Sequence, residues 1–264
     1  MDAQTLKTDL LSTPTAPAGA RAERIDFSTT PLAKSYGKQA SYALVIDDLF
    51  TPAECQKMLQ FAALTGGGWK EALINSGYSQ VLRKDIRDCT RVMIDDFELA
   101  ELIYGRVRPY LDEVVEVGKG TEWDIASYAG RFNYKWKMTR LNERLRFLRY
   151  TKDQYFKPHG DGSYATPDDK ERSFLTLHLY LNSSGDTEED VKGGSTRFLP
   201  YNYLSRSLDI DSECLDIEPK MGRVLIFQHQ GLIHSGEPVT AGTKYTMRTD
   251  IMYERMLPTL EDMQ

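Results

Sequence analysis

The chain has 264 residues, of which 41% are hydrophobic and 27% charged, with a formal net charge of −6. This is the composition of an ordinary globular protein, long enough for one large β-rich domain, and its acidic balance removes the long-range attraction that a nucleic acid or an anionic membrane needs. Three cysteines, Cys55, Cys89 and Cys214, are odd in number and far apart, a pattern of free thiols in a reducing compartment rather than of a disulfide framework.

The first residues, Met1-Asp2-Ala3-Gln4-Thr5, carry no apolar leader, and no stretch approaches the roughly 18 consecutive apolar residues of a bilayer span. A cytoplasmic protein with no membrane partner and no nucleic-acid partner is expected. Residues 1–38 are rich in Thr, Ala, Pro, Gly and Ser without apolar periodicity, which predicts a flexible arm ahead of a single domain over 39–264. The run Ala43-Leu44-Val45-Ile46 predicts a strand. Thr51-Pro52-Ala53-Glu54 has the form of a capping box with proline at the first helical position, so a helix starts there and stops near Gly66-Gly67-Gly68. Apolar residues at helical spacing (Leu102, Ile103, Val107, Tyr110, Leu111, Val114) predict a second helix from about Leu99 to Val117.

From Leu145 onward the segments are short, β-branched and aromatic, and separated by turn signals. They are Leu145–Tyr150, Phe174–Leu181, Thr196–Leu199, Val224–His229 and Tyr245–Tyr253. The fold class expected is α+β with a mainly β core, a sandwich or open barrel over about residues 145–254, carrying mostly N-terminal helices. The acidic loop Ser183 to Val191 reads as a solvated connection between strands.

The chain has four histidines. His159 and Asp161 lie two apart in Phe156-Lys157-Pro158-His159-Gly160-Asp161-Gly162, and positions i and i+2 of a strand face the same side. Alone, such a tripeptide is as well explained by a turn. The apolar run Val224-Leu225-Ile226-Phe227 leads into Gly231-Leu232-Ile233-His234-Ser235-Gly236, which delivers a third ligand from a rigid scaffold. Two imidazoles and one carboxylate make the facial triad that leaves open positions on Fe(II); zinc accepts similar ligands. Lys244, ten positions after His234, makes the choice. A keto dicarboxylate that chelates iron at one end needs a cation for its far carboxylate, and a lysine ammonium supplies it. Arg248, on the same strand face, is expected to assist there or to contact substrate.

In this C-terminal half the sequence resembles the prolyl 4-hydroxylase-type group of Fe(II)/2-oxoglutarate dioxygenases. The ordered pieces are Leu148-Arg149-Tyr150, Tyr155-Phe156-Lys157-Pro158-His159-Gly160-Asp161, Thr176-Leu177-His178-Leu179-Tyr180-Leu181-Asn182, Gly193-Gly194-Ser195-Thr196-Arg197-Phe198, and His234-Ser235-Gly236 followed by Gly242-Thr243-Lys244. The resemblance implies a double-stranded β-helix core. It also implies Fe(II) on His159, Asp161 and His234, with 2-oxoglutarate and O2 as co-substrates and ascorbate in support. Tyr150, Tyr180 and Thr196 match residues that line the 2-oxoglutarate pocket, beside Lys244 and Arg248; core packing explains the two tyrosines equally well on residue type alone. The loop Thr151-Lys152-Asp153-Gln154 departs from the family, which often has a glycine there, and the N-terminal half shows no equally specific match. Thr176 and His178 share the strand face of Tyr180, which makes them further candidates for the pocket lining. Otherwise His178, like His229, is expected to be structural or to stand behind the site, and Trp136 in the core.

The activity implied is oxidation, by default hydroxylation, of an unactivated C–H bond with release of succinate and CO2. A small molecule or short peptide is the favoured substrate; a prolyl residue in a protein is the alternative. Two rivals come from other classes: a non-catalytic jelly-roll binding module, and a zinc hydrolase, which lacks a general-base motif such as His-Glu-x-x-His.

Overall fold

The computed structural model describes residues 2–37, 41–75, 77, 79–125, 134–185, 190–202, 207–208 and 213–256. Two antiparallel sheets face each other. The larger runs in the order Arg21–Arg24, Ala43–Asp47, Val224–Gln228, Glu171–Tyr180, Lys244–Arg255, Arg144–Tyr150, Thr90–Asp95, Lys70–Glu71. Lys135–Leu141 pairs with the distal half of Lys244–Arg255, and Glu116–Gly118 pairs with Lys135–Leu141. The smaller sheet runs Leu215–Ile217, Thr196–Phe198, His234–Gly236, Tyr155–His159, Arg87–Asp88. This is the expected jelly-roll core, and each predicted C-terminal strand forms within a few residues of its predicted bounds.

Helices cover the outer face of the larger sheet. Pro52–Thr65 begins at the capping box: the Thr51 hydroxyl accepts from the Glu54 amide, and the Glu54 carboxylate accepts from the Thr51 amide. It ends at Gly66, where any Cβ would stand 1.8 Å from Val92 Cγ1, so the close helix-to-sheet approach requires glycine. The second helix is shorter than its apolar pattern. Phe97–Val107 is α-helical, and tight 3-10 turns at Arg108–Tyr110 and Asp112–Val114 follow. Pro109 has no N–H to continue the ladder. The periodic side chains Leu102, Ile103, Val107, Leu111 and Val114 are nevertheless all buried.

The segment expected to be a flexible arm is seated on the body at intervals by buried Leu6, Leu10, Phe27, Leu32 and Tyr36, while most of its other described residues are exposed. Ala3–Leu11 is a helix capped by Asp2, with Leu6 and Leu10 buried against the other helices. Arg21–Arg24 extends the larger sheet. Phe27, Leu32 and Tyr36 join the core between the two sheets, with Phe198, Leu225 and Phe227. Two leucines one turn apart are too short a pattern for periodicity to register, yet they suffice to seat a helix on an existing apolar surface. Arg106, fully buried, fixes this layer: it pairs with Glu54 at 2.5 Å and donates to the carbonyls of Thr13 and Leu49. The acidic loop lies partly outside the described residues. Trp136 is in the core, edge-on to Phe174 at 5.1 Å. Among the described residues no helix is long and apolar enough to cross a membrane, and the three cysteines form no disulfide.

Candidate active site

The smaller sheet brings the first and third predicted ligands together. His159 closes the strand Tyr155–His159 and His234 opens the strand His234–Gly236, and the two residues are register partners. Asp161 stands just past its strand, where its amide donates to the carbonyl of His229 (3.1 Å). One ligand atom from each of His159, Asp161 and His234 lies within 4.8 Å of the others. Each imidazole turns Nδ1 to the carbonyl two residues earlier: His159 to Lys157 at 2.7 Å, His234 to Leu232 at 3.3 Å. Those bonds fix the tautomer that presents the Nε2 lone pair to a metal. The Nε2 atoms lie 3.7 and 3.8 Å from the Asp161 carboxylate.

The protonation states suit ligation. Burial, reinforced by His234, pushes His159 down to about 3, and burial also lowers His234. Both are neutral at physiological pH. Burial alone would raise the Asp161 carboxyl; the Arg248 guanidinium foremost, with His234 and His159, holds it well below the usual carboxylate range instead. Phe156 stacks on His159 with centroids 3.6 Å apart, Arg87 lies over the other ring of that stack at 4.7 Å from the Phe156 centroid, and Phe227 meets His234 edge-on at 4.6 Å. These ring faces hold the imidazoles in place.

The outer oxygen of Asp161 is saturated. Thr176 donates to Oδ2 at 2.6 Å and Arg248 lies 3.1 Å from the same atom. Arg248 in turn reaches Asp250 at 3.4 Å, and Asp250 is paired with Arg146 at 3.0 Å, a chain of alternating charge leading away from the site. Arg248 therefore sits at the metal end of the cavity. His229, also buried, stands 3.6 Å from Asp250 with its ring.

Lys244 lies at the other end. Its Nζ is 5.4 Å from the Tyr150 ring centroid and 5.6 Å from that of Tyr180, and the residue is only 3% exposed. The Tyr180 hydroxyl donates to Thr196 at 2.6 Å. Among the described residues no carboxylate reaches ion-pair distance of Lys244, and burial lowers its pKa to about 8. Gly194 makes room for it: with φ +72°, its missing Cβ would lie 3.2 Å from Lys244 Cδ, so the second glycine of the pair leaves space for the lysine stem.

One cavity is lined by the triad, Tyr150, Thr176, His178, Thr196, Lys244 and Arg248, with Arg87, Leu148, Phe156 and Phe227. Tyr180 contacts its wall through Lys244 and Thr196. Sequence reasoning missed Arg87 and the stacking role of Phe156. Phe156 stood inside a quoted motif; Arg87 comes from a two-residue strand whose only meaning is its pairing with Tyr155–His159.

Residues 145–249 match the model of the 2OG-Fe(II) oxygenase superfamily. No curated protein sequence matches the chain. Among solved structures it is similar to the viral collagen prolyl hydroxylase of Paramecium bursaria Chlorella virus-1 in its 2OG complex, at 17% identity over 81% of this chain and 97% of that one, TM-score 0.48. It is also similar to a Pseudomonas putida prolyl-4-hydroxylase (18% identity, 96% and 100% covered, TM-score 0.42). A third is a Trichoplax adhaerens prolyl hydroxylase in complex with a hypoxia inducible factor peptide (15%, 94% and 89%, TM-score 0.44).

Proposed function

We propose, from the premise that residues 145–249 belong to the 2OG-Fe(II) oxygenase superfamily and that the chain is a 2-oxoglutarate-dependent dioxygenase, an assignment of roles to its residues. His159, Asp161 and His234 hold Fe(II), and Lys244 receives the far carboxylate of 2-oxoglutarate. The donor set fits the metal: two neutral imidazoles and one ionised carboxylate on one face, the geometry that leaves positions open. Bound Fe(II) with 2-oxoglutarate and O2 supplies the oxidising power for C–H hydroxylation, with succinate and CO2 as co-products.

The observation that carries the co-substrate reading is the buried Lys244 ammonium, which lines the same cavity as the triad and has no carboxylate partner among the described residues. Burying a charge without a partner is costly, and a dicarboxylate completes the pair. Tyr150 and Tyr180 present ring faces to that ammonium and confine it. Thr176 and Arg248 hold the outer oxygen of Asp161, leaving Oδ1, on the His159 side, to the metal. Phe156 and Phe227 exclude water around the reacting centre. The substrate is a small molecule or short peptide, oxidised at an unactivated C–H bond.

The test is succinate formation from 2-oxoglutarate with Fe(II) and ascorbate, comparing the wild type with His159→Ala, before any substrate is added. Slow turnover lost in the variant supports the assignment and licenses a screen of amino acids, short peptides and prolyl peptides. Without turnover, anaerobic titration looks for the weak visible band of the 2-oxoglutarate–Fe(II) chelate. Absence of that band in the wild type sinks the assignment and favours a non-catalytic binding module.

A further inference from the structure

We propose that His178 is a direct contact of 2-oxoglutarate, donating a hydrogen bond from Nε2 to a carboxylate oxygen of the co-substrate between the metal end of the cavity and Lys244. This rests on the reading of Lys244 given above. Thr176, His178 and Tyr180 occupy alternate positions of the strand Glu171–Tyr180 and face the same side. The two neighbours mark the ends of the slot. The Thr176 hydroxyl is bonded to the metal-side carboxylate of Asp161, and the Tyr180 ring lies 5.6 Å from the Lys244 ammonium. His178 stands midway, about 7 Å along the strand from each neighbour. A ligand reaching from triad to ammonium must pass it.

Both neighbours have their polar tips satisfied inside the protein, Thr176 by Asp161 and Tyr180 by Thr196. His178 does not. Its Nε2 is buried, lines the cavity side of the strand, and has no hydrogen-bond partner. A buried donor left unmade is unfavourable, and an apolar residue would fill the position without that penalty. The imidazole is not a fourth metal ligand, since the ligand cluster comprises His159, Asp161 and His234. Burial, then Lys244 and Arg248, keep it uncharged, so it offers a directed dipole between two cations rather than a third charge. A carboxylate oxygen is the acceptor that such a donor, so placed, selects.

The test uses the full chain with Mn(II) in place of Fe(II), measuring 2-oxoglutarate and Mn(II) affinity by calorimetry for the wild type, His178→Leu and His178→Gln. Removing one hydrogen bond from a neutral donor to a carboxylate is expected to weaken 2-oxoglutarate binding by roughly tenfold or more in His178→Leu, with His178→Gln intermediate. Mn(II) affinity stays within about twofold of wild type. Should the leucine variant misfold, 15N-histidine spectra of the Zn(II)-loaded wild type decide: an Nε2–H resonance newly protected by 2-oxoglutarate supports the contact, and its absence overturns it. Equal 2-oxoglutarate affinity in wild type and His178→Leu overturns this inference alone. A parallel loss of Mn(II) affinity also overturns it, making His178 a support of the metal end. Failure of the wild type to bind 2-oxoglutarate removes the Lys244 reading as well.

Discussion

The two ends of the active-site cavity are built on opposite plans. At the metal end each of the three proposed ligand side chains is held by the protein before any ligand arrives. His159 and His234 are held by carbonyls, and Asp161 by Thr176, Arg248 and the His229 carbonyl. At the far end Lys244 is enclosed by two aromatic rings and meets no counter-ion among the described residues. The first end is preorganised, so a metal meets ligands already aimed. The second stores an unfavourable burial that only an anionic ligand relieves. On the proposed assignment the metal site is complete without the acid, and the acid completes the lysine.

Substitutions at the two ends should therefore separate. The largest effect is expected from Asp161→Ala, which leaves two imidazoles: metal affinity falls at least about a hundredfold, beyond the usual cost of losing an outer partner, and succinate formation disappears. Metal titration and the succinate assay check it. Lys244→Met should leave metal affinity unchanged and weaken 2-oxoglutarate by roughly 10- to 100-fold, the scale of one charge-assisted contact. If metal affinity fell equally, the two ends would not be independent. Arg248→Met tests the support of the metal end: losing the guanidinium on Asp161 Oδ2 should weaken metal binding about tenfold, with a smaller change in 2-oxoglutarate affinity.

Near neutral pH the smallest effect is the pH dependence. Lys244 titrates near 8 in the free protein, below its ordinary value, because burial disfavours the ammonium. Below that pH the cation is present and 2-oxoglutarate affinity is flat. Above it each bound ligand must take up a proton, so affinity falls by up to about tenfold per pH unit. Calorimetry from pH 7 to 9.5 reads the slope, and Lys244→Met should abolish it.

The C-terminal half was far more legible in sequence than the N-terminal half, for a physical reason. Strand alternation is local, so Thr176, His178 and Tyr180 announce one face. Asp161 was expected to share a strand with His159, but the strand ends at His159 and the amide bond to the His229 carbonyl holds Asp161 beside it. The capping box at Thr51 is equally local, and its helix forms where it was expected. What sequence could not show depends on distant partners. Leu6 and Leu10 acquire meaning only from the helices that receive them. Tyr36 reaches the loop before His234 across the fold: its hydroxyl donates to the Leu199 carbonyl at 2.6 Å and accepts from the Ile233 amide at 3.2 Å. Arg248 is the instructive residue. Its strand face was readable, but only the packed structure shows it bound to Asp161.

Lys244 and Arg248 lie on one continuous strand, Lys244–Arg255, bonded on one side to Glu171–Tyr180 and on the other to Arg144–Tyr150. Four residues at about 3.3 Å each set their separation near 13 Å, and slipping the strand by one place would turn every side chain to the opposite face. The backbone thus acts as a ruler. It sets the ammonium at a fixed spacing from the guanidinium that holds Asp161, so on the proposed assignment oxaloacetate and 2-oxoadipate, one methylene shorter and longer, should bind more weakly than 2-oxoglutarate. Side-chain changes around the cavity should scale all three affinities while leaving their order intact.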